Sequence, residues 1–369
     1  MQPQSPVDAI SPAFSRTRTI LYPPGPAPGL NAPFRFWFFM RIALVAALTQ
    51  GNIYGALFGI AAEALAVLFG VLAAVFGVAF HRTDSSFAAP HGFNSILVAA
   101  IVIAAVAAFL LVLLCIWLWC RFRFTLFDLV LYRHGVIARA WTPYRSQTWR
   151  FAGLMILVCL GLLLLFALTG GPLLLHLIVL FRHLSPRQID SDPTIVFAHI
   201  LPLYGIFFVF AIAAGIVNAI AQDFILPHLA LEDASLDVAI SRFFVLLRTR
   251  FWHLALYLLF RFVLELGIGM VGGLALFLVL AILGCGGAGL GFVLYLALWH
   301  AGPAGVTLFV LYCVLAGIAI LAVYVSMIVA LYGFIGVVKQ SYAILFYSWY
   351  YPLLGDRLHS PAPVLPAGS

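Results

Sequence analysis

The chain has 369 residues, 65% of them hydrophobic and 8% charged, with a net charge of +7 and a mean hydropathy of +1.14. A water-soluble domain carries about 25% charged residues, so this composition excludes an ordinary soluble globule, and several apolar runs of about 20 residues or more point to a bilayer. The positive balance comes from 18 Arg and one Lys against 12 Asp and Glu; it is read as charge held on the cytoplasmic side of a membrane, and no nucleic-acid partner is expected.

In chain order, residues 1–33 hold eight prolines and read as a disordered, Pro-rich cytoplasmic tail without a signal-peptide pattern. Residues 34–50, "FRFWFFMRIALVAALTQ", suit an interfacial helix leading into the membrane. Six spans are expected at about 55–80, 95–119, 151–169, 195–217, 253–283 and 304–333. "GGP" at 170–172 is expected to interrupt the third, leaving 173–181 as a re-entrant or interfacial piece or a frayed end, and Pro202 to kink the fourth. "GCGGAGLG" at 284–291 and "HAGPAG" at 300–305 read as a flexible apolar connection. Residues 34–351 form a single transmembrane helical domain, and 352–369 a Pro-rich C-terminal tail.

With the N-terminus inside, 15 of the 19 Lys and Arg fall on inside segments and three on outside loops, and Arg261 lies within a run. This bias gives an N-in, C-in orientation. The fold class is therefore an all-α, polytopic transmembrane bundle of about six spans with cytoplasmic amphipathic helices. Two inside loops return to the membrane through an Arg-x-x-x-Trp step, Arg145 to Trp149 and Arg248 to Trp252. These four residues are candidate interface anchors, a guanidinium at the phosphates and an indole at the headgroups. The second loop carries Leu236, Ile240, Phe243 and Leu247 at helical spacing, with Asp237, Ser241 and Arg248 opposite.

"RFRFTLFDLVLY" at 121–132 and "AQDFILPHLALED" at 221–233 stand at the inside ends of spans. In these segments, through the Arg/Phe-rich step to Asp128 and through Asp223-Phe224 followed by Pro227, the chain resembles a bacterial family of uncharacterised multi-pass membrane proteins. That family is similar in layout to the membrane domain attached to some glycerophosphodiesterases. The resemblance implies a helical membrane fold and carries no reaction, because the soluble phosphodiesterase domain has no counterpart here.

Ionisable residues in a bilayer are costly and face protein or water. Glu63 borders a stripe of small residues in the first expected span, and Arg261 and Glu265 are one helical turn apart in "LYLLFRFVLELGIGMVGG". Their depths match if the fifth span starts early, so Glu63, Arg261 and Glu265 are expected to form a buried charge cluster. Asn218, Gln222 and Asp223 read as a polar helix end meeting water. Histidines 81, 91, 176, 183, 199 and 300, with Asp84, Asp190 and Asp192, gather on the outside face without metal-site spacing, and the five cysteines read as reduced, buried hydrophobes. No metal or cofactor is expected.

The favoured reading is a non-enzymatic membrane module that supports a complex or lipid organisation in the cytoplasmic (inner) membrane of a bacterium. Its expected partners are a bilayer with anionic headgroups on the cytoplasmic side and a membrane protein or a second copy. The alternative is a small transporter or lipid translocator using the Glu63/Arg261/Glu265 cluster; an enzyme at the outer His/Asp face ranks third.

Overall fold

A chain dissolved in hydrocarbon must satisfy its peptide groups internally, and a helix does so within one segment. The computed structural model describes residues 5–22, 35–50, 91–133, 136–183, 193–298 and 302–359, and these are helical with no strand among them. After a 3-10 turn, Pro6–Ala9, come α1 (Ile10–Leu21), α2 (Phe36–Thr49), α3 (His91–Tyr132), α4 (Ile137–Trp141), α5 (Arg145–His183) and α6 (Pro193–Ile220). A π-helical turn, Ala221–Ile225, joins α6 to α7 (Leu226–Glu232); α8 (Leu236–Leu298), α9 (Gly302–Ser348) and α10 (Pro352–His359) complete the chain. Five helices are long and apolar enough to cross a membrane, over Phe109–Tyr132, Arg145–Leu177, Ile200–Glu232, Leu236–Leu298 and Gly302–Ser348. The third, fifth and sixth expected spans lie within these stretches, and the second and fourth overlap them over 109–119 and 200–217; the first, 55–80, with Glu63, lies outside the described residues.

Three expectations are corrected. Residues 6–21 are helical rather than an unstructured tail: Ser5 and Asp8 close a capping box, and Ala13, Thr17, Ile20 and Leu21 are buried. The Gly170-Gly171-Pro172 step lies inside α5, and residues 173–181 simply continue that helix. Pro172 removes one backbone bond, whereas a break in hydrocarbon would leave several peptide groups without partners. Residues 284–291 are likewise helical, within α8. In α8 the amphipathic stretch and the expected fifth span are two helices joined across a kink at Arg250, where φ is −136° and ψ 36°, as the change from polar to apolar sequence there leads one to expect. The part after the kink, 251–298, is about 72 Å long, more than twice a ~30 Å hydrocarbon core, so much of it lies beyond that layer.

Packing divides the chain into two units, one from Met1–Pro12, Thr142–Phe262 and Tyr342–Ser369, the other from Ala13–Trp141 and Val263–Ser341. The helices α8 and α9 therefore each supply residues to both units. In the first unit, Phe151, Phe224, Leu229, Tyr257 and Phe346 are buried, while Leu157, Leu163, Leu201, Phe207 and Phe262 are more than half exposed. In the second, Phe124, Phe127, Val337 and Val338 are buried, while Leu274, Phe277, Leu308 and Leu321 are exposed. Both units thus enclose aromatic and polar side chains and present hydrocarbon outward, the distribution expected where lipid is the solvent.

Close helix packing in the second unit is made by small residues. Residues 263–298 of α8 and 302–341 of α9 form an antiparallel hairpin: Gly272 packs on Leu331, Gly287 on Ile320, and Gly291 on the Tyr312 ring, whose hydroxyl donates to the Gly287 carbonyl at 2.8 Å. At the next crossing a Cβ added to Gly333 would stand 2.4 Å from the Ala43 carbonyl oxygen, so α2 and α9 meet backbone to backbone. The α2 helix is only 14 residues, about 21 Å, and its Ile42, Ala43, Ala46 and Ala47 are buried.

The second unit also explains how α3 ends. Arg133 takes the left-handed conformation, φ 54°, just past the last helical residue. Arg16 donates through Nε and Nη2 to the Val130 carbonyl and through Nη2 to the Leu131 carbonyl, at 2.8–3.1 Å. These are carbonyls that a helix terminus leaves without an intrahelical partner, at the negative end of its dipole. Burial, and then the neighbouring charge of Arg133, lowers the Arg16 pKa to about 10, so it stays cationic at neutral pH.

Candidate functional site

The candidate site of the first unit begins with a defect in a helix. Pro227 has no N–H to give to the carbonyl of residue 223, and its ring crowds that position. The helix widens just before it, and the Leu226 N–H bonds back five residues to the Ala221 carbonyl. Such single π turns occur frequently at functional sites. Here the widened turn contains Gln222 and Asp223, 3% and 2% exposed.

Asp223 Oδ2 accepts from the Tyr257 hydroxyl at 2.6 Å and from Arg261 Nη1 in a very short contact. Both charged side chains are almost fully enclosed. The Tyr257 ring lies between Tyr342 and Phe346, with centroid distances of 5.0 and 4.4 Å and near-parallel planes. Phe224 meets the edges of Tyr257 and Tyr347. A buried ion pair of this kind is costly to assemble, and removing one partner costs about 3–5 kcal/mol because the other charge is left uncompensated. The arrangement clamps α8 to the π turn.

Farther along α7, His228 and Glu232 share a helix face, one turn apart. His228 Nε2 stands 2.7 Å from the Tyr347 hydroxyl, and Arg242 Nη1 stands 3.3 Å from His228 Nδ1. A guanidinium is only a donor, so Nδ1 accepts and the proton sits on Nε2, the neutral tautomer that satisfies both contacts. Glu232 accepts from Arg242 Nη1 at 2.5 Å through Oε2 and from the Tyr351 hydroxyl at 2.6 Å through Oε1. Burial first, then the bond to Glu232, pushes the Tyr351 hydroxyl pKa upward, which keeps it a donor. Around this network opens a cleft of about 530 Å³, lined by residues of α7, α8 and the α9–α10 junction.

The second unit holds a smaller polar cluster. Lys339 Nζ donates to Glu265 Oε2 at 2.7 Å and to Gln50 Oε1 at 3.0 Å. It lies two turns beyond the Gly333 crossing on α9, so the close approach of α2 brings Gln50 within reach of the ammonium.

Of the residues singled out in the sequence, Arg261 is held by Asp223, and Glu265 by Lys339; Glu63 lies outside the described residues. Asn218 is half-buried, and Gln222 and Asp223 lie inside a continuing helix, not at an end meeting water. The anchors Arg145, Trp149, Arg248 and Trp252 are all exposed, the two indoles by 61% and 79%. Leu236, Ile240, Phe243 and Leu247 are buried or half-buried, and Asp237, Ser241 and Arg248 are exposed. Of the outside histidines His176 is described at side-chain level, and it is exposed; no group of three metal-ligating side chains occurs among the described residues. Sequence reasoning missed Tyr257, Lys339, Gln50, His228, Glu232, Arg242 and Tyr351. Lys339 carried a signal, since it is the single lysine of the chain and sits in the apolar stretch "GFIGVVKQSYAILF". The tyrosines carried none, because aromatic residues also mark membrane interfaces.

Long apolar helices clasped by ion pairs define a helical membrane protein. The chain belongs to a family of unknown function, DUF7544, whose model matches residues 4–355. No curated protein and no solved structure matches it.

Proposed function

We propose that this chain is a non-enzymatic membrane module that supports a complex or organises lipid, with six spans and both termini inside, in the cytoplasmic membrane of a bacterium. The observation that carries the reading is charge matching: Arg261 is answered by Asp223, and Lys339 by Glu265. Groups so paired hold helices in register and have little freedom to bind and release a travelling ion. The likeness to the membrane domain attached to some glycerophosphodiesterases belongs to the same proposal and brings no reaction with it. So do the expected partners, anionic headgroups on the cytoplasmic side and a membrane protein or a second copy. The competing reading, a transporter, would combine Glu63 with Arg261 and Glu265.

Two reporter positions test the proposal without breaking either clasp. Gln222→Cys lies beside Asp223, and Ser341→Cys is a near-isosteric change two residues from Lys339, at a position with no exposed surface. In a background without the native cysteines, a water-soluble maleimide applied to intact membranes is expected to leave both unmodified until the protein is denatured. Labelling of both in folded protein would show an aqueous path and replace the scaffold reading with transport.

A further inference from the structure

Arg242 uses one nitrogen in the network around it. Its Nη1 serves Glu232 and His228, while among the described residues its Nε and Nη2 make no hydrogen bond. The side chain is 46% exposed and lines the cleft. Nε and Nη2 form the edge of the guanidinium that meets phosphate or carboxylate through two parallel N–H bonds.

The rest of the lining narrows the choice of ligand. Both oxygens of Glu232 are already committed, to Tyr351 and to Arg242. Its charge and that of Arg242 cancel, and the Arg250 guanidinium, whose charge acts on the Tyr350 hydroxyl in the lining, leaves this end of the cleft cationic toward an incoming anion. The Tyr350 hydroxyl, enclosed and in the lining, has no hydrogen-bond partner among the described residues. Beside these polar groups stand Val245, Leu246 and Leu353, an apolar lip of which Val245 and Leu353 are about half exposed or more. A free inorganic anion would use the guanidinium edge but gain nothing from the lip. An amphiphile would use both, and about 530 Å³ falls within the usual range of small-molecule sites, roughly 300–1,000 Å³. The cleft also flanks the amphipathic part of α8, its lining running from Ser241 to Thr249, next to the kink at Arg250.

We propose that this cleft binds an anionic phospholipid, with its phosphodiester on the Nε and Nη2 edge of Arg242 and its glycerol and first acyl carbons along Val245, Leu246 and Leu353. The assignment rests on reading the first part of α8 as lying in the membrane interface. It gives the module a specific lipid rather than general adhesion to a charged surface.

The test uses the full chain, purified in detergent and stripped of lipid, titrated with dihexanoyl phosphatidylglycerol and followed by tryptophan fluorescence. Saturable binding is expected. Arg242→Gln should weaken it about tenfold or more, as loss of a charge-assisted pair does. Tyr350→Phe forfeits no internal hydrogen bond, so it keeps the fold and should weaken binding about threefold to tenfold. Arg357→Gln, at an exposed position on α10 outside the cleft lining, should change affinity less than about twofold. Equal losses for Arg242→Gln and Arg357→Gln would reduce the effect to surface charge and overturn the site, as would wild-type affinity in both Arg242→Gln and Tyr350→Phe. Equal binding of dihexanoyl phosphatidylcholine would remove the anionic preference, and displacement of the lipid by equimolar inorganic phosphate would assign the cleft to a free anion; either result overturns the lipid assignment. The titration has no sidedness and does not touch the clasps. It can therefore fail while the maleimide test on Gln222→Cys and Ser341→Cys succeeds, and the reverse.

Discussion

Two tyrosines stacked on one another distinguish a hydroxyl that holds the fold from one that burdens it. Tyr257 donates to a buried carboxylate, whereas the Tyr342 hydroxyl is enclosed and has no hydrogen-bond partner among the described residues. Tyr257→Phe should therefore cost about 1.5–3 kcal/mol, the worth of a hydrogen bond to a charged group. Tyr342→Phe removes an unpaired polar atom and keeps the ring stack, so it should be neutral or stabilising. Thermal unfolding of both variants in detergent decides it, and equal losses would sink the distinction. At this scale the sequence was only partly legible. It showed that Arg261 and Glu265 needed partners, because charge in hydrocarbon needs one. It offered each other and Glu63 as those partners, because i, i+4 neighbours are the one contact that spacing alone guarantees. Asp223 and Lys339 lie 38 and 74 positions away from the residues they pair with, and no local pattern encodes that distance.

Among helices, packing depends on where a side chain is missing. Gly333 meets the backbone of α2, and a Cβ there would stand 2.5 Å from the Ala43 Cα. Gly333→Ala should push α2 away and cost about 1–3 kcal/mol, the usual penalty for overpacking. Gly317, on the same helix, has open space around its Cβ position. Gly317→Ala should gain up to about 1 kcal/mol from helix propensity. A melting comparison of the two separates close approach from general glycine content, and the reverse order would contradict the described crossing. Gly333 and Gly317 look alike in the sequence. Helix interruptions were misread for a related reason: Gly170, Gly171, Pro172 and the glycines of 284–291 are breakers in water, yet hydrocarbon penalises an open backbone more than it penalises a poor helix former.

For the molecule as a whole, the solvent sets which surfaces count as buried. Cys159, Cys285 and Cys313 are all exposed in the fold. If lipid covers those helices, a water-soluble maleimide should leave the three thiols unmodified in sealed membranes, because a polar reagent does not enter hydrocarbon. After denaturation in detergent all three should react. Labelling in sealed membranes would place these surfaces in water and contradict a bilayer around them. Composition and hydrophobic run length determined, without any coordinates, that the fold is helical and suited to a membrane, since a chain this apolar has few other ways to satisfy its peptide groups. Tertiary structure alone decided which charges are paired, that residues 6–21 fold, and that Arg242, Tyr350 and Leu353 line one cleft. Those outcomes depend on contacts between residues distant in the chain, and helical periodicity specifies a face without naming what that face will meet.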